Sequence, residues 1–380
     1  MKKSILLSTL LLPLAFLMGC NNQTITVKDM AISHELEFGG IYIHKTIEDF
    51  NKLGFAYGDS VDITFTNGYK VKDLPYYNGY YVDAGQALLV GYPGYDYIKL
   101  TLNYGDDLWY VANFTEEVKA TISLNKKEKY KGIQEASDIS YYDERERYET
   151  NVEFANFRNM KVGNLSEGVL YRSASPCDNK HNRASYVDKL MEEAGVQFVL
   201  NLADTKEKID GYIAKEDFDS PYFLSLYQKQ QFFLAAPIND KVEPLALNMN
   251  YMSDEFKEKV ASGINYMANS TGPYLVHCLE GKDRTGFVCI LLESLMNATY
   301  QEIVDDYMLT YDNYYKIKLG DPKYNIIKNR NVDSMLNFIC EGNDYRSGST
   351  SNYAKQYLIK GGMSEEAVNA LIAKLSTPLN

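Results

Sequence analysis

The sequence predicts an α/β domain preceded by a small all-β barrel or sandwich. Three observations carry that expectation. From about Val27 to Lys129, apolar and polar residues alternate with period two between dense turn signals. From about Thr150 the texture changes to short apolar runs, polar loops and helical segments. Within this second region Gly272–Cys278 leads through a glycine-containing loop into another apolar stretch, the order strand, loop, helix. At 380 residues the chain is long enough for two such units.

The N-terminus belongs to neither unit. Lys2 and Lys3 precede an apolar stretch, Ile5–Met18, too short and too broken by Pro13 for a membrane-spanning helix. It ends in Leu17-Met18-Gly19-Cys20, which resembles the lipobox of bacterial lipoproteins, although Met18 is unusual there. The resemblance implies cleavage before Cys20, a diacylglyceryl group on its thiol, and an exported, membrane-anchored protein. The plainer alternative is an ordinary secretory signal. The expected organisation is a signal peptide over 1–19, a tether over 20–27, a β-rich unit over 28–145, and the α/β unit with a helical C-terminal extension over 146–380.

In the β-rich unit, Val61–Phe65 alternates, Asn67-Gly68 follows, and Tyr69–Val71 resumes, which predicts a hairpin with a type I′ turn. Val118, Ala120, Ile122 and Leu124 alternate with polar residues in the same way. Trp109 reads as core. No grouping of His, Cys and carboxylates here suggests chemistry, and the unit's role stays open. Charged stretches, Lys126–Lys131 and Asp143–Glu149, separate it from the α/β unit.

In the α/β unit, Gln197–Leu202 and Gly272–Cys278 read as buried strands. Helices are expected around Ala184–Ala194, Glu255–Met267 and Thr285–Leu295. Thr299 caps a further helix over Tyr300–Tyr311, and Ser364 caps one over Glu365–Leu375.

The loop "VHCLEGKDRTGF" (Val276–Phe287) carries the chemistry. A loop between a buried strand and a buried helix directs backbone N–H groups at whatever occupies the helix N-terminus, which makes an anion site. Gly281 lets the backbone approach an oxyanion closely, and Arg284 offers a planar fork to two phosphate oxygens. A thiol at such a place is favoured as the thiolate and is a nucleophile.

His277-Cys278-x-x-Gly281-Lys282-Asp283-Arg284-Thr285-Gly286 resembles the signature of cysteine-dependent protein tyrosine phosphatases, and more closely the bacterial tyrosine/lipid phosphatases with an HCxxGKDRTG loop. "ANFRNM" (Ala155–Met160), "GVLYRSASP" (Gly168–Pro176), "GVQFVLNLADTKEK" (Gly195–Lys208) and "DDYMLTYD" (Asp305–Asp312) are similar to other parts of that family. The resemblance spans about Phe154–Tyr315 and implies the α/β tyrosine phosphatase fold, a central mixed sheet flanked by helices, and a two-step reaction through a cysteinyl phosphate. Cys278 is then the nucleophile and Arg284 the phosphate clamp. Leu279, Glu280, Gly281, Lys282, Thr285 and Gly286 form the phosphate-binding surface, with Thr285 also donating to the departing sulfur. His277 supports the loop rather than acting as base. The general acid is Asp283 or, as second choice, Asp204. Lys282 is expected at the mouth, where it attracts a second anionic group. Arg172 is placed with the phosphate-binding residues; it and Arg158 either reach the pocket or pair with nearby carboxylates. No cofactor or metal is implied.

Leu279-Glu280 stands where relatives carry small residues, and Glu280 should disfavour highly phosphorylated substrates. Met160-Lys161 also departs from the family pattern. Cys177 is an ordinary loop cysteine or a disulfide partner for Cys278, and Cys289 is core. The net charge of −12 would become −14 on loss of Lys2 and Lys3, which argues against nucleic acid as a partner. The expected substrate is phosphotyrosine in a protein or peptide. The alternatives are a phosphoinositide or inositol phosphate, and a lipid-anchored binding protein with a vestigial phosphatase loop.

Overall fold

A computed structural model describes residues 25–228 and 241–379. The signal peptide and the Cys20 lipidation site lie outside the described residues.

The β-rich unit is a closed barrel. Its strands are β1 (Thr26–His34), β2 (Ile41–Thr46), β3 (Ser60–Phe65), β4 (Lys70–Tyr77), β5 (Ala87–Val90), β6 (Tyr97–Leu102) and β7 (Lys119–Lys126), in the order β1-β2-β6-β5-β4-β3-β7 with β7 returning to β1. Every pairing is antiparallel except β4 with β5. Alternation drives the closure: Ile32, Ile43, Val61, Ile63, Leu89, Ile98, Leu100 and Ile122 all turn into one buried core. Of the two all-β expectations, barrel and sandwich, the chain adopts the barrel. Trp109 flanks this core, stacked on His34 at 5.0 Å.

The β3–β4 hairpin departs from the expected turn. A type I′ turn needs positive φ at both central residues. Gly68 has φ +92° but Asn67 does not, and Gly68 N–H donates to Phe65 O at 2.9 Å. Thr66 thus joins a three-residue connection, with Gly68 taking the left-handed position.

The second unit holds a five-stranded sheet. Its strands are β8 (Arg158–Asn159), β9 (Leu170–Ser173), β10 (Phe198–Asn201), β11 (Val242–Pro244) and β12 (Tyr274–His277), ordered β11-β10-β12-β9-β8. The last four strands in chain order run parallel, and β8 is an antiparallel edge. Phe198, Leu200, Tyr274 and Val276 face one core, with the Asp254–Asn269 and Asp283–Leu295 helices. Val199 and Leu275 face the other, with the Ala184–Glu193 and Pro221–Gln228 helices. Burial on both faces explains why these strands read as unbroken apolar runs. The expected caps form: Thr299 and Glu302 make a reciprocal capping box, and Ser364 Oγ accepts from Ala367 N–H.

Register decides where function sits. Asn201, His277 and Ser173 lie abreast at the carboxyl ends of β10, β12 and β9. In an open parallel sheet, ligands bind beyond that edge. The Lys131–Ser137 helix, which follows the barrel, packs on the Pro322–Lys328 helix of the second unit. Among the described residues no helix is long and apolar enough to cross a membrane.

Ile122 is wholly buried in the barrel. Ile122→Ala is expected to destabilise the barrel by about 2–5 kcal/mol. The check is a urea titration followed by Trp109 fluorescence; an unmoved midpoint would contradict a barrel core built around this residue.

Candidate active site

β12 ends at His277, and Asp283 begins a helix that runs to Leu295. The carbonyls of the intervening loop are all occupied from behind. Cys278 O meets His277 Nδ1 at 3.1 Å, and Leu279 O accepts from Ser175 N–H at 3.0 Å. Glu280 O accepts from the Tyr314 hydroxyl at 2.8 Å. Gly281 O accepts from Arg172 Nη2 at 3.0 Å and Asn156 Nδ2 at 3.2 Å, and Lys282 O accepts from Gly286 N–H at 2.7 Å. In a planar trans peptide the N–H points opposite to the C=O. Anchoring five successive carbonyls outward therefore turns the amides of Leu279 to Asp283 to the loop's inside. The N–H groups of Leu279 to Arg284 donate to no acceptor among the described residues. Together with the helix N-terminus they form an anion cradle.

Two glycines make the geometry possible. Gly281 has φ +66°, and a Cβ there would lie 2.3 Å from Ser173 O. At Gly286 a Cβ would lie 2.4 Å from the ring of Tyr307, so the helix could not seat. Cys278, which opens the loop, is buried. Arg284 donates from Nη1 to Leu247 O at 3.1 Å, while its Nε has no protein partner. Thr285 Oγ1 is likewise buried without a partner. A bound oxyanion would satisfy such a set of donors.

Titration directions assign roles. Burial lowers His277 to about 4. The imidazole is thus neutral near pH 7, its Nδ1–H donating to Cys278 O, which suits loop support and not proton abstraction. Burial, together with the Glu280 carboxylate, holds the Asp283 carboxyl above the ordinary range against the pull of Lys282. A raised carboxyl keeps its proton longer, as a general acid needs. Burial opposes the Glu280 charge, but Lys282 prevails and lowers it.

The structure corrects several expectations. Arg172 is not in the cradle: it is fully buried beneath the loop, ion-paired to Asp306 and bonded to Gly281 O. Arg158 also pairs with Asp306, at 2.7 Å. A guanidinium without a carboxylate partner is too costly in that interior, so pairing wins over reaching the pocket. Lys282 is not a free cation at the mouth. Its ammonium lies 3.0 Å from Glu280 Oε2, 3.8 Å from Asp283 Oδ2 and 3.2 Å from the Tyr315 hydroxyl. Asp204 is buried with both oxygens engaged, by Asn201 Nδ2 at 3.1 Å and the Tyr212 hydroxyl at 3.2 Å. The Asn201–Asp204 turn that closes β10 holds it so. Cys177 is a free thiol in the core on the opposite sheet face from Cys278, its pKa pushed far up by burial. Burial also pushes Cys289 up to about 12, in the core of its helix. No group of His, Cys, Asp and Glu able to hold a metal ion occurs among the described residues.

Sequence reasoning missed the anchors. Asn156 adopts φ +48°, a conformation asparagine tolerates better than most side chains. From there Nδ2 serves Gly281 O and the Thr310 hydroxyl. Tyr314 and Asp306 come from one helix, Tyr300–Tyr315. The stretches "ANFRNM" and "DDYMLTYD" contain two of these residues, but nothing local marks them as loop supports.

A thiol opening an amide cradle at a helix N-terminus, with an arginine two residues inside that helix, defines a cysteine-dependent phosphatase. The model of the tyrosine phosphatase family matches residues 153–377, more than half of the chain, and the chain belongs to that family. Among solved structures it is similar to the core catalytic domain of the PP-IP phosphatase SIW14 from S. cerevisiae, in complex with citrate. That match has 17% identity and a TM-score of 0.26, and covers 48% of this chain and 95% of that one. No curated protein matches the chain.

Asn156→Ala removes a donor from the Gly281 carbonyl. It is expected to weaken inhibition by vanadate, which occupies the cradle as an oxyanion, by about tenfold, since a buried hydrogen bond is worth about 1–3 kcal/mol once one partner is orphaned. An unchanged inhibition constant in a folded variant would show that Asn156 supports the fold but not the cradle.

Proposed function

We propose that the protein hydrolyses phosphomonoesters, with phosphotyrosine in proteins or peptides as the substrate class, through a cysteinyl phosphate. The observation that carries this is the anchoring of five consecutive loop carbonyls outward, which leaves an amide cradle between Cys278 and Arg284. In the first step Cys278 Sγ attacks phosphorus and the bond to the ester oxygen breaks. Asp283 gives its proton to that oxygen. The loop amides and the unengaged guanidinium nitrogens of Arg284 hold the equatorial oxygens as negative charge shifts. In the second step water attacks phosphorus, its proton returns to Asp283, and sulfur departs as thiolate with the Thr285 hydroxyl donating to it.

The preference for a single phosphoryl group follows from charge. The Glu280 carboxylate pairs with Lys282 at 3.0 Å, so the loop's one lysine offers little to a second phosphate. A phosphoinositide or inositol phosphate is the competing substrate class, favoured by Arg330, which lies with Lys282 along the same cleft. The protein is further proposed to be exported and held at a membrane through Cys20, on the strength of the N-terminal sequence alone.

A phosphate-release panel over phosphotyrosyl peptides, phosphoserine, phosphoinositides and phytate discriminates these. Phosphotyrosyl peptides should be turned over fastest, and Cys278→Ser should abolish release. Release that survives this substitution would defeat the mechanism, and preference for phytate would overturn the substrate class. Loss of membrane association in Cys20→Ala is the outcome expected of the anchor.

The raised carboxyl predicts a pH effect. Above its pKa Asp283 is ionised and no longer donates, so kcat for a poor leaving group should fall on the alkaline side. Asp283→Asn should remove that limb and cut kcat by about 10²–10⁴-fold. A profile that keeps its alkaline limb in the variant would move the acid role elsewhere.

A further inference from the structure

Three adjoining cavities run from the phosphate loop to the barrel. The largest, about 390 Å³, has Lys282 and Asp283 on one side and Tyr80 and Tyr81 on the other. These tyrosines belong to the connection between β4 and β5. A second, about 160 Å³, lies between Asp83 and Tyr104 of the barrel and the Met249–Met252 segment. A third, about 140 Å³, reaches Arg284. Met249 and Asn331 line all three, so the cavities adjoin along one cleft between the barrel and the phosphate loop.

Arg330 fastens the barrel side of this cleft. Its Nη2 donates to Tyr81 O at 2.9 Å. It projects from Asn329–Asp333, a π-helical turn between two α-helical segments. Such distortions add a residue to the helix and are frequent at functional sites. Arg330 keeps its other guanidinium nitrogens free of protein hydrogen bonds among the described residues. The neighbouring walls are aromatic and apolar: Tyr311, Tyr315, Ile139 and Ile327. Asp283, the acid in the reading above, lines this space, and that reading puts the leaving group in it.

We propose that the barrel is part of the substrate site. Tyr80, Tyr81 and Arg330 form a wall that receives the portion of a phosphotyrosyl peptide lying beyond the phosphoryl group. The tyrosines meet its aromatic ring and neighbouring side chains, and the free nitrogens of Arg330 donate to its backbone carbonyls. This rests on the phosphatase reading above and assigns the barrel a role in choosing the substrate. An aromatic wall gives large contact area at low conformational cost, and one unpaired guanidinium suits a carbonyl-rich chain.

The test uses the full chain and two substrates: p-nitrophenyl phosphate, which fills little beyond the cradle, and a phosphotyrosyl peptide. The readout is the ratio of kcat/KM for the peptide to that for p-nitrophenyl phosphate. Tyr81→Ala and Arg330→Gln are each expected to lower this ratio by about tenfold, mainly through a higher peptide KM. Arg330→Lys, which keeps a donor for Tyr81 O, should recover part of it. A ratio unchanged in both variants, whether activity on the two substrates stays level or falls equally, overturns the barrel's role. Absence of turnover of either substrate by the unaltered protein overturns the phosphatase reading instead.

Discussion

The outward pull on the loop carbonyls is the constraint on which the site depends, and its part at Gly281 O is braced by one buried carboxylate. Asp306 sits between Arg158 and Arg172. Against the cost of its burial, the two guanidiniums hold its carboxyl well below the usual range. Glu293 beside it is pushed well above the usual carboxylate range by burial and by the Asp306 charge. The guanidinium of Arg172 is directed at Gly281 O. A peptide dipole that has its carbonyl end fixed against a cation presents its N–H end to the cradle. The electrostatics of an anion site are in this way prepared from the far side of the loop.

The face toward solvent is arranged differently. Lys282 is paired with Glu280, and stands 5.6 Å over the ring of Tyr315. Positive potential at the cradle therefore comes from Arg284, the amides and the helix N-terminus. The chain as a whole is acidic, so attraction of an anionic substrate is local to the cradle and its cleft. Glu280 contributes twice: its carboxylate quenches Lys282, and its backbone carbonyl, held by Tyr314, helps to shape the loop.

Much of the fold was legible because its signals are local. Alternation fixed the barrel strands, apolar runs fixed β10 and β12, and Thr299 and Ser364 marked helix starts that the structure keeps. The loop was legible for the same reason: its thiol, glycines and arginine lie within ten residues. What was not legible is long-range. Arg172 meets Asp306 across 134 residues, and Asn156 meets Gly281 across 125. No periodicity links such pairs. An arginine at the end of a strand looks the same in sequence whether it will bind substrate or brace a neighbouring loop. The hairpin turn failed more locally, because Asn67-Gly68 permits a three-residue connection as readily as a two-residue one, and cross-strand register chooses between them.

The distribution of the braces bears on how such a loop could be moved between proteins. Its ten-residue motif contains the reacting groups, yet most of the donors that orient its peptides come from β9, from the Ser175 backbone, from Asn156 and from the Tyr300–Tyr315 helix. Copied alone onto another parallel sheet, the motif would carry a thiol and a guanidinium on peptides free to rotate. Protein engineers seeking to transplant it would have to graft a scattered frame first, and the signature afterwards.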